Sequence, residues 1–312
     1  MTIRRVAIPL AGALRFVSLL VFSSAGAFAQ NRGVYPLGMS ATNSGVVPVP
    51  GLTYANLFLF YSRGESRGPN GEILATGSNS ILMDMNTFAW VSEPLAPLGG
   101  AKFSLAATIP IANNSLASDV AGSISGGGGL ADSYYQPLIL GWTTKHADLR
   151  FAYGFLAPTG RFEAGASDNV GSGYWTHTLS AGETFYLTEN RAAAISAYEI
   201  YEFHTTQAGT DIHPGQTLSL DYSATQTLVL PSDLRLQVGV AGYEQWQTTD
   251  RSGPNITPEE QESRYRINAV GLAANILLSG RKVSLGAKYL REFSNKSTFQ
   301  GYSFQVSGSV NF

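Results

Sequence analysis

The chain has 312 residues, of which 44% are hydrophobic and only 13% charged, with a formal net charge of −2 and no cysteine. The missing cysteines exclude disulfides and thiol chemistry, and the acidic balance argues against a nucleic-acid partner. A chain so apolar and so sparsely charged needs somewhere to place its oily surface.

The N-terminus supplies an address. Arg4 and Arg5 form a basic start, Val6 to Phe22 is largely apolar, and Ala27-Phe28-Ala29 is a small-x-small cleavage pattern before Gln30. This spacing predicts a secretory signal peptide over residues 1–29. Arg15 cuts the apolar run too short for a membrane anchor. Beyond it no stretch approaches ~20 apolar residues, so no helical span is expected. An exported chain can still cross a membrane as a closed barrel, which satisfies every backbone polar group without a helix.

Residues 30–50 do not read as a strand. They are rich in Gly, Ser and Pro, and Pro48 and Pro50 bracket Val49. Proline cannot sit inside a ladder. This stretch is expected inside the barrel or across its periplasmic end. Alternating segments then follow near 51–62, 79–93, 101–111, 132–143, 147–156, 174–187, 192–205, 216–230, 234–249, 263–278, 282–292 and 299–312. That predicts an all-β, transmembrane antiparallel barrel of about twelve strands over residues 51–312. Short connections alternate with long ones. Residues 63–77, 112–131, 157–173, 206–215 and 250–262 are read as the long loops. Periplasmic turns opposite longer extracellular loops are the barrel signature.

Successive side chains alternate between faces. In 147–156, Leu149, Phe151, Tyr153 and Phe155 oppose Asp148 and Arg150. In 216–230, Leu218, Leu220 and Tyr222 oppose Ser219, Asp221 and Ser223. The apolar face should meet lipid. Asp84, Lys102, Asp148, Arg150, Asp221, Arg235, Arg266 and Lys288 are the candidate lumen residues, where mixed charges would hold water and set weak selectivity. His177, Glu183, Glu199 and Glu202 do not sort by parity. Tyr134, Tyr135, Trp175 and Trp246 could stack flat rings or form a membrane-interface girdle.

No catalytic or metal set emerges. His177 and Ser180 are three apart, hence on opposite strand faces. None of the four histidines falls at a ligand spacing. Gly126 to Gly129 lacks the Lys-Ser/Thr of a phosphate loop and reads as a flexible loop over the barrel mouth. Thr257 is placed to cap a short helical turn with Glu260 at its third position. No cofactor is implied.

Gly33-Val34-Tyr35-Pro36-Leu37-Gly38 and Pro48-Val49-Pro50-Gly51-Leu52-Thr53-Tyr54 resemble the opening of the MetA-pathway phenol-degradation family. So do Gly129-Leu130-Ala131-Asp132 with Gln136-Pro137 and Gly141-Trp142, Tyr153-Gly154-Phe155 to Pro158-Thr159-Gly160, and Gly171-Ser172-Gly173-Tyr174-Trp175. The match departs at Leu37, where the family has Gly after Pro. The resemblance implies an outer-membrane barrel, distantly similar to long-chain fatty-acid channels, used for hydrophobic or aromatic nutrients. The last residues, Tyr302, Phe304, Val306, Val310 and Phe312, share one parity. Such an ending resembles the closing strand of outer-membrane barrels, which implies Phe312 as the signal read by the barrel-assembly machinery.

The expected function is a passive outer-membrane channel for small hydrophobic or aromatic compounds, not an enzyme. The alternatives are a barrel enzyme acting on lipid and a non-conducting structural barrel. Export predicts processing between Ala29 and Gln30. Mass spectrometry of the mature protein should find Gln30 first; an intact Met1 would contradict it.

Overall fold

A computed structural model describes residues 32–118, 122–231, 234–254, 256–278 and 282–312. The signal segment lies outside the described residues. Thirteen strands follow in order: β1 (Gly51–Arg67), β2 (Ile73–Leu95), β3 (Ala101–Ser118), β4 (Gly122–Leu130), β5 (Ser133–Thr143), β6 (Ala147–Ala157), β7 (Thr176–Tyr186), β8 (Ala193–His204), β9 (Thr217–Val229), β10 (Arg235–Gln247), β11 (Arg266–Leu278), β12 (Val283–Glu292) and β13 (Thr298–Asn311). Sequence neighbours pair antiparallel except β4 and β5, β5 pairing with β3 instead, and β1 pairs with both β2 and β13. That last pairing closes the sheet. Closure removes both edges, so no ladder group faces lipid unpaired.

Twelve strands make the wall. The thirteenth, β4, pairs with β3 beyond the point where β5 leaves it: β3 meets β5 through Thr108 and β4 from Ile111 onward. This corrects two expected loops. Residues 63–77 mostly continue the β1–β2 hairpin, which turns at 68–72, and 112–131 is mostly a β3–β4 hairpin. Their strand pattern was hidden because past the bilayer neither face has to be oily. Ser78, Ser80 and Ser115 replace the apolar series there.

The alternation sorts the wall into two surfaces. Leu52, Phe58, Leu82, Phe88, Leu149, Phe151, Leu179, Val240, Leu272, Leu285, Phe304 and Val306 are exposed on the outside. Thr178, Ser180, Thr184, Ser219, Asp221, Ser223, Gln237, Gln245 and Gln305 are buried inside. Outward aromatics gather toward both rims. Tyr54 contacts Phe88, and Trp90 contacts Phe103, near the short turns. Phe155 contacts Tyr135 and Trp175 near the long loops. Such belts are expected at the two membrane interfaces. Phe312 is exposed, and its N–H donates to the Leu52 carbonyl, next to the β1–β13 seam.

The structure resolves the strands that did not sort by parity. His177, Glu183 and Glu199 share the outward face of β7 and β8, while Glu202 and His204 point inward and are buried. Glu183 and Glu199 are diagonal neighbours on that outward face. Between β10 and β11 the loop carries a short helix, α1 (Pro258–Glu262), with the capping box at Thr257 and Glu260.

Residues 32–50 run up through the barrel. Val49 and Pro48 lie at the turn end, accepting from Asn311 and Lys102. Gly45 donates to Thr184 at 3.1 Å, and Asn43 exchanges two hydrogen bonds of 2.9 Å with Gln237. Leu37 accepts from Gln305 at 2.8 Å. Arg32 reaches Glu292 and Thr298, beside the loops. A segment held this way should resist protease. Exhaustive digestion of the folded protein, followed by peptide mapping, should recover residues 32–50 uncut; their full loss would refute this placement.

Candidate functional site

Three inward carboxylates hold the N-terminal segment, two by its backbone and one through the Arg32 side chain. Asp221, fully buried on β9, accepts from the Tyr35 hydroxyl at 2.6 Å and from the N–H groups of Gly38 and Ser40 at 2.9 and 3.0 Å. Glu202 on β8 accepts from the Tyr35 N–H at 2.8 Å and from the Thr217 hydroxyl. Glu292 on β12 accepts from the Tyr61 and Tyr243 hydroxyls and from Asn295, and forms an ion pair with Arg32 at 3.2 Å. Lys288 supplies the opposite charge, donating to the carbonyls of Gly38 and Met39 at 2.6 and 2.7 Å. Gly38 lies between Asp221 and Lys288 at φ 79°, a left-handed turn suited to glycine. A buried charge is tolerated only when its hydrogen-bonding capacity is filled. Here backbone groups of a non-strand segment fill it.

A second carboxylate cluster fastens the loop over residues 158–175. Asp132 sits between β4 and β5. It accepts from the Gly160 N–H at 2.9 Å, the Ser172 N–H at 2.7 Å and the Ser172 hydroxyl at 2.6 Å. The backbones of Gly160 and Gly171 touch. Burial raises the Asp132 carboxyl above the ordinary carboxylate range, against the hydrogen bonds that favour its charged form. Three sequence stretches far apart in the chain meet at this one carboxylate. The glycine run is not a flexible loop, as the sequence suggested, but part of β4. A Cβ on Gly127 would collide with the Asp168 carbonyl, so the bare backbone lets the covering loop lie directly on the strand.

Between segment and loop lies a cavity of about 450 Å³. Leu59, Met83, Met85, Tyr198 and Ile200 give it an apolar wall; Arg32, Arg63 and Arg150 also border it. Its size falls in the range of about 300–1,000 Å³ typical of small-molecule sites.

The sequence candidates separate clearly. Lys102, Asp148, Arg150, Asp221 and Lys288 point inward. Lys102 donates to Pro48 at 3.1 Å, and Asp148 is paired with Arg191 at 2.9 Å. Arg235 starts β10 at the turn rim. Two candidates are corrected. Asp84 faces outward with Leu82 and Phe88, taking a hydrogen bond from Asn56. Arg266 also faces outward, paired with Glu244 at 3.3 Å and stacked over Trp246. Asp84 has a hydrogen-bond donor and Arg266 an opposite charge beside it on the outer face, which softens the cost of facing lipid. Of the four aromatic candidates, only Tyr134 borders the cavity, its hydroxyl 2.7 Å from that of Thr178. Tyr135, Trp175 and Trp246 lie on the outer face. Glu202, Glu292 and Asp132 were missed. Glu202 would have been found by extending the clean inward parity of β9 to its neighbour β8. Among the histidines, His177 faces outward, His204 bonds Thr176 and His213 bonds Gln216.

The family described as "Putative MetA-pathway of phenol degradation" matches residues 63–307. The chain belongs to that family. The opening stretch with Tyr35-Pro36 lies outside the matched residues. Among solved structures the chain is similar to the COG4313 outer membrane channel from Pseudomonas putida F1, at 12% identity and a TM-score of 0.71, covering 87% of this chain and 98% of that one. It is also similar to the β domain of the Bordetella autotransporter BrkA, at 11% identity and a TM-score of 0.49, covering 85% of this chain and 100% of that one, too distant to carry an argument. At such identities the likeness establishes the outer-membrane barrel fold and nothing finer. No curated protein matches the chain.

Replacing Asp221 by alanine removes three hydrogen bonds to the internal segment. Bonds to a charged group are worth about 1.5–3 kcal/mol each. The D221A protein should lose its heat-resistant gel mobility at lower temperature, be trimmed by protease within residues 32–50, and conduct more ions across a planar bilayer. Unchanged conductance with unchanged trimming would show that Asp221 does not hold the segment.

Proposed function

We propose that this protein is a passive channel of the outer membrane for small hydrophobic or aromatic compounds, reached through export by its signal peptide. The observation that carries the reading is the apolar-walled cavity between the covering loop and the internal segment. A water-filled pore would present a polar bore. Here the bore is occupied by residues 32–50, and the space that remains has a wall of methionine, leucine and tyrosine. The inward charges support the same reading. Asp221 and Lys288 lie either side of Gly38, and Asp148 is matched to Arg191, so these charges are spent on the internal segment and on one another rather than left lining a polar pore. The family described as a phenol-degradation pathway and the likeness to a protein titled an outer membrane channel support the cargo and the role.

Growth on limiting monocyclic aromatics, with and without the gene, tests the proposal. Loss of the gene should slow uptake of apolar aromatics and leave sugars and phosphate unaffected. Equal aromatic uptake in both strains, or faster loss of sugar uptake, would leave a general porin or a structural barrel instead.

A further inference from the structure

The arginines bordering the cavity are not alike. Arg32 is fully engaged, with Glu292, Tyr61, Thr298 and the Phe299 carbonyl. Arg63 is 3% exposed and bonds only the neutral amides of Asn79 and Asn114, stacking on Phe299 at 4.8 Å. Arg150 is barer still. Its guanidinium lies 5.0 Å from the Tyr198 ring centroid, and its Nε is buried without a hydrogen-bond partner. Among the described residues no carboxylate lies within ion-pair distance of either Arg63 or Arg150.

The neighbouring carboxylates are committed elsewhere. Asp132 accepts from Gly160 and Ser172, and Glu202 from Tyr35 and Thr217. Two other inward cations have near partners: Arg191 has Asp148, and Lys288 has two carbonyls beside Asp221. A guanidinium held in an apolar-walled space without an anion is costly. Its planar fork fits a carboxylate with two parallel hydrogen bonds. Stacking on Tyr198 leaves the edge of that fork free to donate.

We propose that the cavity is a binding site for a monocyclic aromatic carboxylate, with the acid on Arg150 and the ring against the Met83, Met85 and Tyr198 wall. This rests on the channel reading and narrows it, from apolar aromatics in general to aromatic acids as the tightest-bound cargo. The apolar wall supplies the affinity shared with neutral rings. The cation supplies the difference between an acid and its neutral counterpart. Arg63, also without a counter-ion, adds to the attraction for an entering anion.

Calorimetric titration of the purified, detergent-solubilised protein at neutral pH with benzoate, benzamide and toluene tests this. Benzoate should bind at least about tenfold tighter than benzamide, the change expected from one charge-assisted hydrogen-bonded contact. Arg150→Gln should erase that preference, and Arg150→Lys should keep part of it. Heat-modifiable gel mobility verifies that each variant is folded. If Arg150→Gln does not fold, the salt dependence of the unmodified protein decides. Benzoate affinity should fall as salt rises, and toluene affinity should not. Equal affinity for benzoate and benzamide, a benzoate affinity indifferent to salt, or a preference that survives in Arg150→Gln, would overturn the acid site and leave the channel reading standing. Absence of binding by all three compounds, with uptake independent of the gene, would overturn both.

Discussion

The carboxylate of Asp221 organises the interior of this barrel. A closed wall of twelve strands solves the backbone problem in lipid but leaves a bore lined by polar and charged side chains. Those charges need partners away from bulk water. Asp221, Glu202 and Glu292 find them in the backbone N–H groups, the Tyr35 hydroxyl and the Arg32 guanidinium of the N-terminal segment. The dependence runs both ways. The segment has no ladder of its own, so its N–H groups would be unsatisfied without those carboxylates. Lys288 completes the arrangement by binding the carbonyls on the other side of the same turn.

The second organising carboxylate, Asp132, does for the outer mouth what Asp221 does for the bore. It ties the start of β5 to both ends of the covering loop through Gly160 and Ser172. Between these two fastenings the wall is free to be apolar, because no backbone there needs a side-chain partner. The cavity is the gap between two hydrogen-bonded closures. Its cations, Arg63 and Arg150, are the groups that neither closure uses.

Much of the barrel was legible because its rule is local. Leu149, Phe151 and Phe155 against Asp148 and Arg150 assign β6 without reference to any neighbour. The twelve wall strands follow from that period and from turn chemistry. Legibility failed where a strand leaves the bilayer, as in the outer halves of β1 to β4, since alternation carries no information once both faces are wet. It failed again at Asp84 and Arg266. A charge in a strand was read as inward, but Asn56 and Glu244 provide outward partners on adjacent strands, and strand pairing is not written in either strand alone. Asp132 stands in the sequence as the end of a short Gly-rich stretch, and its role is visible only in the fold. The residues that bond it, Gly160 and Ser172, are remote in sequence and adjacent only in space.

The internal segment also sets an order of events. Residues 32–50 precede β1, so they are synthesised before any wall strand. Yet their seats are on β8, β9, β12 and β13, at the far end of the chain. The first part made is therefore the last that can dock. Until β13 meets β1, the acids of the bore remain wet and the segment waits unpaired. Contacts of such long sequence separation form slowly. The insertion step thus has to enclose a loose N-terminal strand of polymer, and the barrel matures from the outside in.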